Sequence, residues 1–78
     1  MSKLGPVPAK EIIRFLNRLG FVEIRQRGSH KFFSHPDGRT ATVPFHKGED
    51  LGRGIIRSIL RDIEVMPEEF IAWREKKS

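Results

Sequence analysis

The sequence FVEIRQRGSHKFFSHPDGRTATVPF, residues 21–45, decides the fold of this 78-residue chain. Three short segments in it are rich in the aromatic and β-branched residues typical of strands: residues 21–27, residues 29 or 30 to 35, and residues 40–45. Pro36-Asp37-Gly38 separates the last two and favours a tight turn, because proline presets φ and glycine accepts a left-handed conformation. The stretch therefore predicts a meander of three antiparallel strands.

The flanking segments show helical periodicity. Apolar residues recur at helical spacing over residues 8–19, where Pro8 suits the first helical position and Gly20 the end of the helix. A second helix is predicted from Gly54, as its N-cap, to about residue 64, and Pro67 opens a short third helix. Residues 1–7 are predicted to form a flexible lead.

The order of these elements is α-β-β-β-α plus a short C-terminal helix, which predicts an α+β fold. Residues 1–78 are expected to form a single domain with its core at about residues 8–73. A three-stranded antiparallel sheet of this kind carries its helices on one face and leaves the other open to solvent. In the last helix the expected buried residues are Phe70, Ile71 and Trp73.

The turn chemistry predicts which way His30 points. A three-residue loop with a type I turn and a bulge at its glycine pairs His35 with Arg39. The core face would then carry Phe33, Ala41 and Val43, and the open face His30, Phe32, Ser34, Thr40 and Thr42. A two- or four-residue loop would reverse this arrangement, and that alternative stays open here.

The first strand is expected to alternate regularly. One of its sides would carry Val22, Ile24 and Gln26, and the other Glu23, Arg25 and Arg27.

Composition limits the classes of function. Lys and Arg number 15 against 10 Asp and Glu, and the net charge of +5 favours a polyanionic partner such as nucleic acid or an acidic protein. The same balance also fits a basic domain without such a partner. The absence of cysteine excludes disulfides, thiolate nucleophiles and the usual structural zinc sites, and it fits a reducing cytoplasm. Neither a signal peptide nor a membrane span is predicted.

His30 is the leading candidate for chemistry, because histidine accepts and donates protons near neutral pH. His46, in the loop that follows the third strand, either anchors that loop or assists RNA contact or catalysis. Phe32 either stacks on a base, as aromatic residues do on open sheets, or serves the sheet or a protein interface. Candidate phosphate contacts are Arg25, Arg27, Lys31 and Lys47.

The other polar positions have simpler interpretations. Ser29 is expected to act in a turn or as a hydrogen-bonding group near RNA rather than as a nucleophile, and His35 to cap the turn that follows it. The spacing of the histidines matches no standard metal-ligand motif, so no metal or cofactor is expected. Two cationic stripes, Lys10/Arg14/Arg18 and Arg53/Arg57/Arg61, are either solvated helix faces or phosphate contacts.

An ordered set of short motifs resembles the HicA toxins of bacterial and archaeal toxin–antitoxin pairs. The set comprises Leu19-Gly20-Phe21, Gly28-Ser29-His30, His35-Pro36-Asp37-Gly38-Arg39, Val43-Pro44-Phe45-His46-Lys47-Gly48, Arg57-Ser58-Ile59-Leu60-Arg61 and Pro67-Glu68-Glu69-Phe70. Two positions depart from the family pattern. Gly54-Ile55 stands where a Gly-Thr is common, and Met66 where a Ser or Thr cap is frequent. Both departures concern helix starts.

The resemblance implies a fold similar to double-stranded-RNA-binding domains and ribosome-independent cleavage of mRNA. It also implies neutralisation by a HicB-type antitoxin, which is expected to cover His30, and binding of operator DNA through the toxin–antitoxin complex. The family's catalytic histidine falls on His30. Two rival interpretations stay open: a non-catalytic RNA-binding module of the same fold, and a basic domain that binds an acidic protein.

Overall fold

The computed structural model describes residues 4–76. Its elements are the strand β1 (Val7–Pro8), the helix α1 (Ala9–Leu19), the strands β2 (Val22–Arg27), β3 (His30–Ser34), β4 (Thr40–Pro44) and β5 (Asp50–Leu51), and the helices α2 (Arg53–Asp62) and α3 (Pro67–Lys76). β2, β3 and β4 form an antiparallel sheet with β3 in the centre. The predicted α+β fold is confirmed.

The β3–β4 hairpin has the predicted register. The amide of His35 donates a hydrogen bond to the carbonyl of Arg39, and Phe33 lies opposite Ala41. Phe33 and Ala41 are buried, whereas His30 is exposed. The three-residue loop is therefore correct, and the alternative that would turn His30 towards the core is excluded.

The predicted alternation of β2 is wrong, because the strand contains a β-bulge. The register shifts between Glu23 and Arg25, so Ile24 is the extra residue. Directly opposed residues share a face, and Val22 therefore shares the open face with Arg25 and Arg27. Val22 and Ile24 are each 61% exposed. Period-two alternation fails here because a bulge adds one residue to a strand without a matching residue in its partner.

The helices cover the core face of the sheet. The core includes Ile12, Phe15 and Leu16 of α1, Phe33, Ala41 and Val43 of the sheet, Ile56, Ile59 and Leu60 of α2, and Phe70 of α3. Each large apolar side chain buried in this way contributes about 1.5–3 kcal/mol of favourable transfer free energy. An ion pair of 2.6 Å between Glu11 and Arg74 and an edge-to-face contact between Phe15 and Phe70 attach α3 to α1.

The helix boundaries differ slightly from the predicted ones. α1 begins one residue after Pro8. The predicted N-cap at Gly54 is wrong, because α2 begins at Arg53 with Gly52 in the extended N-cap conformation. α3 begins at Pro67 as predicted, with Phe70 fully buried and Ile71 and Trp73 half-buried. None of the helices within residues 4–76 is long and apolar enough to cross a bilayer.

The prediction of a flexible lead is wrong for residues 4–7, while residues 1–3 lie outside the described part of the chain. Leu4 and Val7 are buried, and Val7 pairs with Leu51 in a short antiparallel ladder. The partner strand β5 lies between β4 and α2, where the sequence predicts no strand. A two-residue strand has no measurable periodicity, and its partner is remote in sequence, so no local pattern indicated the pair.

Candidate functional site

His30 is the first residue of the central strand β3 and directly follows the two-residue turn Gly28–Ser29. Gly28 has φ +56° at the first turn position, which is where two-residue type II′ hairpins place glycine. Arg27 lies opposite His30 on β2, and Pro44 lies opposite it on β4. The imidazole is exposed and makes no hydrogen bond to any residue in the 4–76 range. It is therefore free to meet a ligand.

A stacked pair lies next to His30 on the open face. The guanidinium carbon of Arg25 is 4.7 Å from the centre of the Phe32 ring, a cation–π arrangement. The two-residue turn sets this contact, because the register that pairs Arg27 with His30 also pairs Arg25 with Phe32. Aromatic rings and guanidinium planes are the surfaces on which unpaired RNA bases stack.

Lys31 is turned away from this group. It lies opposite Val43 on the core side, and its ammonium is 3.2 Å from the amide oxygen of Gln26. It is also 3.5 Å from a carboxylate oxygen of Glu23 and 4.8 Å from the centre of the Phe45 ring. Of the candidate phosphate contacts, Arg25 and Arg27 therefore share the face of His30, and Lys31 does not.

The segment after β4 returns to the turn that precedes His30. The amide of Phe45 donates a hydrogen bond to the carbonyl of Ser29, and the amide of Glu49 bonds the carbonyl of His46. Ser29 thus takes part in the turn and in this backbone link. His46 and Lys47 are exposed. The His46 ring has no hydrogen-bond partner among the described residues, so the structure gives no sign of the loop-anchoring bond that was one interpretation.

His35 has the structural role predicted for it. Its Nε2 lies 3.0 Å from the carbonyl oxygen of Leu19, and its Nδ1 accepts a hydrogen bond from the amide of Asp37. The ring packs against Phe21 at 4.9 Å between centroids. His35 therefore caps the turn and connects it to the end of α1.

Arg39 extends this connection to α2, which the sequence did not indicate. Its guanidinium donates to the Asp37 carboxylate at 2.8 Å and to the carbonyl of Ile63, and it lies over the Phe21 ring. The hydrogen bond from the Arg39 amide, together with the guanidinium and nearby His35, holds the pKa of Asp37 below its ordinary value. The carbonyl that Arg39 caps lies 24 residues away in sequence, so no local signal predicts the contact.

Within residues 4–76, no three His, Asp or Glu side chains are grouped so that they could hold a metal ion.

Fold and site together define a small basic α+β protein whose fold is similar to that of double-stranded-RNA-binding domains, with an exposed histidine at the hairpin of its central strand. A family model described as the HicA toxin of bacterial toxin–antitoxin systems matches residues 9–65. The chain therefore belongs to the HicA toxin family and is the toxin of a toxin–antitoxin system. A comparison with curated proteins gave no match.

The family match includes all the candidate site residues and ends before α3. The motif Pro67-Glu68-Glu69-Phe70 consequently lies outside it. The family is associated with mRNA cleavage, and membership implies an RNA substrate and a HicB-type antitoxin as partner.

Proposed function

We propose that this protein is an endoribonuclease toxin that cleaves mRNA without a metal ion and uses His30 as general acid or base. The observation that carries the proposal is the exposed His30 ring, which has no partner among residues 4–76 and lies on one face with Arg25, Arg27 and Phe32.

RNA supplies its own nucleophile, the 2′-hydroxyl. Cleavage then requires a base for the 2′-hydroxyl proton, an acid for the departing 5′-oxygen and positive charge near the phosphorane. A positioned acid or base contributes about 10²–10⁴-fold, and fixed cations stabilise the developing charge. His30 fills one of the proton-transfer roles. Arg25 and Arg27 contact phosphate, and Phe32 offers its ring to a base.

The segment that follows β4 completes this surface. In the proposal Ser29, His46 and Lys47 contact the RNA from the end of the sheet at which His30 lies. Lys31 has no direct part, because Glu23 and Gln26 hold its ammonium on the other side of the sheet.

The proposed setting is the cytoplasm, where mRNA is available. The HicB-type antitoxin silences the protein by covering His30, since blocking one exposed residue is enough to stop the reaction. The toxin–antitoxin complex binds operator DNA through the antitoxin.

The test compares wild type and His30→Gln on a defined single-stranded RNA in EDTA. The wild type should generate 2′,3′-cyclic phosphate and 5′-hydroxyl ends, and His30→Gln should bind the RNA without cutting it. Products with 5′-phosphate ends would rule out this mechanism. A wild type that binds RNA without turnover would instead support the non-catalytic RNA-binding module, which the stacked Arg25–Phe32 pair also fits.

A further inference from the structure

One backbone hydrogen bond joins the two segments that carry the free histidines. The amide of Phe45 donates to the carbonyl of Ser29. His30 is the residue after Ser29, and His46 is the residue after Phe45. The end of the sheet at which the proposed site lies therefore carries a second histidine.

The distance between the two histidines is limited by the sheet. Pro44 is the partner of His30 in the β3–β4 ladder, and directly opposed Cα atoms in such a ladder are about 4.5–5.5 Å apart. His46 lies two residues beyond Pro44, a separation of at most about 7 Å. The two Cα atoms are thus within about 13 Å, so two imidazoles could approach opposite sides of one phosphate between them.

The surroundings of His46 suit a charged ligand. His46 lines a cavity of about 460 Å³ between the start of α1 and the loop before β5. Lys10 and Lys47 also line it, together with Glu49 and Asp50. The two lysines line the same cavity as His46 and can contact a phosphate there, against the opposing charges of Glu49 and Asp50.

The third histidine shows what a structural role looks like in this chain. Both ring nitrogens of His35 are within hydrogen-bond distance of backbone atoms, and its ring packs on Phe21. Neither the His30 nor the His46 ring makes such a contact with residues 4–76. His35 thus stabilises the fold, whereas the rings of His30 and His46, near the other end of β3, are available to a ligand.

We propose that His46 is a second catalytic residue and forms an acid–base pair with His30 on one RNA linkage. The inference rests on the proposed ribonuclease function. One imidazole takes the proton of the 2′-hydroxyl, and the 2′-oxygen forms a bond to phosphorus. The bond from phosphorus to the 5′-oxygen breaks, and the other imidazolium gives its proton to that oxygen. The products are a 2′,3′-cyclic phosphate and a 5′-hydroxyl, and no further reactant is needed.

The experiment measures single-turnover cleavage of a defined RNA by wild type, His30→Gln, His46→Gln and two control variants. His35→Gln is the matched histidine control, and Asp62→Asn changes an exposed residue at the end of α2. Each of the first two substitutions should lower the rate at saturating protein by about 10²-fold or more, with RNA affinity retained. The controls should cleave at the wild-type rate once the folded fraction is taken into account.

The pH profile distinguishes a catalytic group from a positioning one. A bell-shaped wild-type profile should lose one limb in His30→Gln and the opposite limb in His46→Gln. Arg27, opposite His30, and Lys10, Lys47, Glu49 and Asp50, around the cavity, remain in both variants. A limb that disappears is therefore assigned to the histidine removed.

An RNA with sulfur in place of the bridging 5′-oxygen identifies the acid, because a thiolate leaves without being protonated. One of the two variants, and not the other, should regain most of its activity on this substrate. Rescue of neither variant overturns the proposal, as does a His46→Gln protein that retains full activity or loses only RNA affinity. A wild type that does not cleave RNA overturns the proposed function as well, which separates the two failures.

Discussion

The two hairpins of the sheet differ sharply, although each places a histidine at one end of the same strand. At the Pro36-Asp37-Gly38 end, His35 bonds the end of α1 and the turn itself, and Arg39 bonds the end of α2. At the Gly28–Ser29 end, the His30 ring is exposed and makes no hydrogen bond within the described residues.

This difference places the residues that stabilise the fold and the residues of the proposed site at opposite ends of β3. Side chains at the first end satisfy backbone groups that helices leave without partners, so their ring nitrogens are already used. At the second end, backbone atoms alone form the link between Ser29 and Phe45. The histidines beside that link remain available for a substrate. Substitutions at the two ends should therefore affect different measurements.

The largest effect is expected for His30→Gln. We expect loss of RNA cleavage by about 10²–10⁴-fold because the proton-transfer group is removed. The free energy of unfolding should change by less than about 0.5 kcal/mol, since the exposed ring has no described contact to lose. Cleavage kinetics and urea denaturation measure the two quantities. Strong destabilisation would contradict the comparison.

His35→Ala should show the reverse pattern. It leaves the carbonyl of Leu19 and the amide of Asp37 without their partners and removes the ring from Phe21, so the free energy of unfolding should fall by about 2 kcal/mol. Activity per folded molecule should stay unchanged. Urea denaturation gives the stability, and activity titrated against the folded fraction gives the control. Reduced activity of the folded protein would place His35 in the site.

Two glycines test the same contrast in the backbone. Gly20 has φ +103°, and a Cβ added there would lie 3.0 Å from Nε2 of His35. Gly28 has φ +56°, and a Cβ added there would meet nothing within 4 Å beyond its chain neighbours. Gly28→Ala should cost about 1 kcal/mol for the left-handed conformation alone. Gly20→Ala should cost about 2 kcal/mol or more, because His35 must also move. Thermal unfolding of the two variants should rank them in this order.

Arg25→Gln and Arg39→Gln remove the same charge from two different places, the open face of the sheet and the Pro36-Asp37-Gly38 turn. Arg25→Gln should reduce the slope of log affinity against log salt for RNA by about one, as expected when one phosphate contact is lost. Arg39→Gln should leave that slope unchanged and lower stability, because Ile63 loses its cap. Fluorescence anisotropy at several salt concentrations measures the slopes. Equal slopes for Arg25→Gln and wild type would remove Arg25 from the RNA surface.

The smallest effect concerns pH. The pKa of Asp37 lies below its ordinary value in the folded protein, so its ionised form stabilises the fold above the unfolded-state pKa. This contribution is lost as the pH falls from the unfolded-state pKa, about 4, through the lower folded-state pKa. Compared with wild type, Asp37→Asn should be slightly less stable at neutral pH, and the difference should shrink in acid. Urea denaturation at several pH values from about 2 to about 7, which span the titration of a carboxyl group, tests this pH dependence.

Local patterns predicted a large part of this structure. The Pro-Asp-Gly turn predicted the pairing of Phe33 with Ala41 and the outward direction of His30, because turn length sets the register of a hairpin. Helical spacing predicted α1, and Pro67 predicted the start of α3, for the same reason: neighbouring residues determine these features. The sequence did not indicate the bulge at Ile24. The apolar–polar alternation of β2 is the same whether or not one of its residues lacks an opposed residue in β3.

Residue types and family motifs indicated His30, and turn chemistry predicted its exposure. The alternative uses of His46 could not be decided in this way, because a histidine in a loop has no periodic pattern to orient it. The cavity that His46 lines also contains Lys10, a residue remote in the chain. The sequence analysis grouped Lys31 with the other candidate phosphate contacts. Its ion pair with Glu23 depends on the bulged register of β2, which the sequence did not indicate.

The sequence by itself determined the order of the three helices and the three strands of the main sheet, and it favoured the turn that sets the hairpin register and the face of His30. Each of these features depends on residues close together in the chain. Tertiary structure alone decided that His35 and Arg39 hold the hairpin to α1 and α2, that Val7 pairs with Leu51, and that His46 lines a cavity with the start of α1. These contacts form only when the apolar faces of sheet and helices are buried together, and that packing brings distant backbone and side-chain groups within hydrogen-bond distance.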